Sequence, residues 1–114
     1  MSIIITEKTF AQEIIVSTTD GTPTTIYTGT DIDIVQQLRM TNVHTADVTV
    51  NIWFVPNGGS ADVDAFKLYA TFTIPKNDFI NENVYYPMAT GSKFTATCSV
   101  ANKANIHLSG KSIT

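Results

Sequence analysis

Asp47-Val48-Thr49-Val50-Asn51-Ile52-Trp53-Phe54-Val55 and Phe66-Lys67-Leu68-Tyr69-Ala70-Thr71-Phe72-Thr73-Ile74 are two alternating segments separated by the loop 56–65, Pro-Asn-Gly-Gly-Ser-Ala-Asp-Val-Asp-Ala. Before the loop, Val48, Val50, Ile52 and Phe54 fall on one side. After it, Phe66, Leu68, Ala70, Phe72 and Ile74 do the same. Successive side chains of a strand point to opposite faces, so a period of two predicts half-buried β-structure.

The rest of the chain repeats this pattern. Strands are expected at about 10–18, 24–28, 33–42, 47–55, 66–74, 79–88, 93–100 and 104–109. Turn chemistry separates them: Asp20-Gly21-Thr22-Pro23, Gly29-Thr30-Asp31, Pro75-Lys76-Asn77-Asp78 and Thr90-Gly91-Ser92. In the third strand Ile34, Leu38 and Met40 share a face that Gln36 interrupts, and Gly110 marks a bulge or kink before Ile113. The spacing of about eight strands predicts an all-β, single-domain antiparallel β-sandwich, jelly-roll-like. Residues 1–9 are expected to form an extended N-terminal arm, and 10–114 the sandwich domain.

Composition agrees. The 114 residues include 18 Thr, 13 Ile and 9 Val against 3 Leu, and stiff β-branched side chains suit a pleated surface better than a helix. Seven basic residues are scattered among ten acidic ones, for a net charge of −3. Nucleic-acid binding needs a concentrated positive footprint, so nucleic acid is not an expected partner. No apolar run approaches the ~20 residues that span a bilayer. The N-terminus lacks the basic and apolar regions of a signal peptide, and synthesis in a cytoplasm is expected.

Catalytic and metal chemistry find few parts. His44 and His107 are the two histidines, without metal-ligand spacing. Asp31-Ile32-Asp33 and Asp62-Val63-Asp64 offer oxygen ligands, and the loop from Asn57 to Asp64 is the better calcium candidate of the two. Acidic loop residues more often cap turns, so no metal or cofactor is assigned. No Gly-x-Ser-x-Gly elbow is present, and Cys98 alternates with Phe94, Ala96 and Val100 as an inert core thiol. The expectation is a non-enzyme.

The aromatic residues carry the remaining signal. Trp53 and Val55 fall on the outward register of their strand, and Tyr69 falls on that of its partner. An outward Trp can anchor a protein interface, sit under a covering segment, or stack on a sugar ring. Ile3, Ile4, Ile5 and Phe10 are the apolar residues of the N-terminal segment. Together with Trp53, Val55 and Tyr69 they are the candidate protein-interface residues; Tyr85 and Tyr86 join Trp53 and Tyr69 as sugar-stacking candidates.

The run Leu38-Arg39-Met40-Thr41-Asn42, then Ala46 through Pro56 and Gly58-Gly59-Ser60, resembles small tailed-bacteriophage virion proteins. So do Thr73-Ile74-Pro75, Gly91-Ser92-Lys93-Phe94-Thr95-Ala96 and Ile106-His107-Leu108-Ser109-Gly110. The resemblance spans about Thr24 to Lys111. It implies a non-enzymatic β-sandwich in the virion, most directly a capsid decoration or cement protein. The alternatives are a tail, fibre or baseplate component, or a carbohydrate- or host-receptor-binding module. Its implied partners are further copies of itself, for which a trimer is one option, and the major capsid protein or tail proteins. It carries over no catalytic residue.

Overall fold

The computed structural model describes residues 4–30, 32–60 and 63–113. Among the described residues there are eight strands: β1 (Ile5–Ile14), β2 (Thr24–Thr28), β3 (Ile32–Asn42), β4 (Val48–Val55), β5 (Lys67–Ile74), β6 (Phe79–Met88), β7 (Lys93–Cys98) and β8 (Ala104–Ile113). A 3₁₀ turn, Asp64–Phe66, lies in the long β4–β5 connection.

The pairing is nested. β4 pairs with β5 across the 56–66 loop, β3 with β6, β2 with β7 and β1 with β8, all antiparallel. The chain is thus one long antiparallel ribbon whose tip is the stretch that fixes the fold. Rolling that ribbon brings β8 against β3 and β7 against β4. Two four-stranded sheets result, ordered β1-β8-β3-β6 and β2-β7-β4-β5. This is the strand order of a jelly roll, so the expected architecture holds.

The core lies between the sheets. Val48, Val50 and Ile52 of β4, Phe94, Ala96 and Cys98 of β7, and Ala104, Ile106 and Leu108 of β8 are all buried, as alternation predicts. Phe54 is half-buried and stacks on Phe94 at 5.0 Å, with Tyr86 edge-on at 5.7 Å. A fully buried apolar side chain of this size, such as Phe94, contributes about 1.5–3 kcal/mol.

Three expectations need correction. β1 begins at Ile5 and not near Phe10: Ile5–Thr9 pair with Ile113–Ser109, so this part of the expected arm is the first half of an edge strand. Residues 1–3 lie outside the described residues. In β3 the inward set is Asp33, Val35, Leu38, Met40 and Asn42, not Ile34 with Leu38 and Met40. Gln36 is an extra residue against β8, while on the other side Val84 and Tyr85 of β6 together oppose it, and this irregularity exchanges the two faces of β3. In β5 the inward residues are Tyr69, Phe72 and Ile74, while Leu68 and Ala70 are exposed. There Ala70 and Thr71 together oppose Asn51. Thr71 takes a left-handed φ of 47°, and its N–H donates to Asn51 Oδ1 at 2.7 Å.

Both ends of the central strand β3 carry a buried polar residue that ties the sheets together. At its start, the Tyr27 hydroxyl of β2 donates to Asp33 Oδ2 at 2.6 Å, and Ser112 of β8 donates to Oδ1 at 2.8 Å. At its end, Asn42 Nδ2 donates to the carbonyls of Ala46, Ile74 and Pro75 at 3.0, 3.0 and 3.2 Å, while Oδ1 accepts the His44 N–H at 2.8 Å.

Gly110 stands opposite the β3 bulge. A Cβ there would fall 1.9 Å from the Ile34 carbonyl oxygen and 2.9 Å from the Gln36 nitrogen, both backbone atoms that cannot swing aside. Gly110→Ala is therefore expected to cost roughly 3 kcal/mol or more, read as a lowered urea midpoint. Asn42→Ala strands several buried partners at once and is expected to cost about 2–4 kcal/mol in the same measurement.

Candidate interaction surfaces

The seven interface candidates separate into three groups. Ile4 and Ile5 are 58% and 61% exposed, and Ile3 lies outside the described residues. Phe10 and Tyr69 are half-buried and pack against the core: Phe10 lies 5.2 Å from the Tyr27 ring, and Tyr69 meets Phe72 edge-on at 5.3 Å. Burial, with Glu82 and Tyr86 nearby, pushes the Tyr69 phenol up to about 12.

Trp53 and Val55 are fully buried, which corrects their reading as surface residues. They keep the register expected of them, because they lie outside the intersheet core, level with Thr95 and Lys93 of β7. They are covered from outside. The Lys67 ammonium sits 5.1 Å from the Trp53 ring, and Lys67 reaches Asp64 of the 3₁₀ turn at 3.8 Å. Gly59 folds back so closely that a Cβ on it would lie 3.1 Å from Val55 Cγ1 and 3.0 Å from the Phe66 ring. The β4–β5 loop thus lies over the outer side of its own strand. Trp53 Nε1 has no hydrogen-bond partner among the described residues.

The surface that sequence reasoning missed is the outer face of the first sheet. At one end, Ile5, Ile113 and Ile32 lie side by side on β1, β8 and β3. Ile5 is 61% and Ile32 57% exposed. The pattern signal was split across three distant segments, so only pairing could assemble it. Further along, the same face becomes polar. Thr9, Ser109, Gln37 and Asn83 form one cross-strand row, and Gln12, His107, Arg39 and Asn81 form the next. Arg39 stacks over the exposed Phe79 ring at 4.1 Å.

The titratable groups mostly serve structure. Cys98 is buried in the core, and burial raises its thiol pKa, which disfavours the reactive thiolate. Among the described residues no three His, Cys, Asp or Glu side chains cluster. Of the two acidic pairs considered for calcium, Asp31 and Asp62 lie outside the described residues. Asp33 is committed to Tyr27 and Ser112, and Asp64 to Lys67. No described helix is long and apolar enough to cross a membrane. Comparison with protein-family models, with curated proteins and with solved structures found no match.

Asp33 links this region to pH. Burial raises its pKa, but hydrogen bonds from Tyr27, Ser112 and the Thr30 N–H, with the nearby Lys8 charge, outweigh burial and hold it below its ordinary 3.8. A lowered carboxylate pKa stabilises the fold above the unfolded value, and that stability is lost as pH falls through the folded value. Acid unfolding below pH 3.8 should therefore include Asp33 protonation. Asp33→Asn is expected to lower stability at neutral pH by about 1.5–3 kcal/mol and to flatten the acid limb of a stability–pH curve from thermal melts.

Proposed function

We propose that this chain is a non-enzymatic structural module of a bacteriophage virion, in the first place a capsid decoration protein that holds the particle through protein–protein contacts. Two lines support the reading. The sequence blocks from Thr24 to Lys111 resemble those of small virion proteins. The observation that carries the contact role is the isoleucine row Ile5–Ile113–Ile32 on the open face of the first sheet.

Three neighbouring aliphatic side chains on adjacent strands form a contiguous patch. Such patches on small proteins mark contacts with other proteins, whereas single exposed apolar residues do not. A small domain without disulfides also gains stability by burying such surface against a copy of itself or another virion protein. The edge strand β1 supplies Ile5, so the part of the N-terminal segment that belongs to the sheet supplies part of the contact surface as well.

The protein is expected to form a closed oligomer, or to decorate capsids in many copies. Ile5→Lys with Ile32→Lys should leave the β-type circular dichroism unchanged and abolish the oligomer in sedimentation velocity, or release the protein from particles. A wild-type monomer with no affinity for capsids or tails would reject the reading, and an image of the assembled particle would show where the density sits.

A further inference from the structure

We propose that the polar part of the first sheet's outer face binds a neutral oligosaccharide, seated in a groove at the line of bulges. The register is broken at Phe10 on β1 and at Gln36 on β3, and β8 lies between them with Gly110 opposite Gln36. Bulges bend a sheet locally and re-aim its side chains. An open groove of about 520 Å³ lies there, lined by Glu7, Thr9, Gln36, Gln37, Asn83 and Ser109 among others. A smaller depression of about 180 Å³ shares Thr9, Gln37 and Ser109 with it and continues toward Gln12 and Asn81. The two form one channel running along the strands, which suits a chain of sugar units better than a compact ligand.

The chemistry of the lining selects the ligand class. Primary amides present donors and acceptors together, as sugar hydroxyls require. Gln37 has one long internal hydrogen bond, at 3.5 Å from Ser109, so most of its capacity faces the solvent. The residues common to both parts, Thr9, Gln37 and Ser109, are uncharged, while Glu7 and Lys8 line the larger part and Arg39 and His107 the smaller. A protein partner would need an apolar centre, which this part of the face lacks. Tyr85 supplies the remaining element of sugar recognition. It is 67% exposed and lies two residues from Asn83 on the same side of β6, where its ring is available to the C–H face of a pyranose. Of the four aromatic residues weighed as stacking candidates, Tyr85 is the exposed one; Trp53 is covered, and Tyr69 and Tyr86 pack against the core.

The test is a glycan array of neutral and sialylated oligosaccharides probed with the intact chain, followed by calorimetric titration with the best neutral binder. Neutral oligosaccharides are expected to bind. Gln37→Ala, Asn83→Ala and Tyr85→Ala, all at exposed positions, should each weaken binding about tenfold or more with unchanged circular dichroism. Absence of any neutral glycan signal would overturn the proposal, as would binding confined to acidic glycans or unaffected by all three substitutions. Sugar binding by the isolated protein does not require particle assembly, so failure of the isoleucine-patch experiment and failure of this one are separate results.

Discussion

Position 110 tolerates no side chain, and much of the first sheet's geometry depends on that. With hydrogen alone on the Gly110 Cα, the Ile34 carbonyl can occupy the space a Cβ would take. That approach accommodates the Gln36 bulge in β3, the strand that pairs with both β6 and β8. The bulge exchanges the faces of β3 and allows Val35 and Leu38, three residues apart, to point into the same core. A strand with strict alternation would have sent one of these two aliphatic side chains into water. A companion bulge at Phe10 carries the break across β8 to the edge strand.

Two buried polar groups, one at each end of β3, hold the rolled ribbon closed. Asp33 accepts from a tyrosine of the opposite sheet, and Asn42 donates to carbonyls at the end of β5. Hydrophobic contact between the sheets supplies most of the favourable energy but is non-directional. The polar clasps are directional, because a sliding sheet would leave a carboxylate or an amide buried and unpaired. Asn42 is thus the corner fastening of the sandwich.

The two faces of the sandwich are finished differently. The second sheet covers its outward Trp53 and Val55 with its own loop and Lys67. The first sheet leaves its outer face open, apolar at the Ile5–Ile113–Ile32 end and polar across the bulge line. This asymmetry is why the contact role is proposed for the open face and not for the covered one.

The sequence by itself determined the all-β class, the ribbon tip at about 56–65, the turns, and the inward faces of β4, β7 and β8. Each of these follows from local alternation and from residues that favour turns, and local information is complete for them. Misfit residues also carried a trace of the rest: Gln36 on an apolar face and Gly110 near the end of the last strand were both visible as irregularities. Only the tertiary structure decided that the two lie opposite each other, that β5 changes face at Thr71, that β1 starts at Ile5, that Trp53 is covered, and that three separate isoleucines form one row. The reason is that a period of two records which side chains share a face within one strand. Bulges, covering loops and cross-strand rows depend on which distant strands become neighbours, and that is settled when the ribbon rolls and packs.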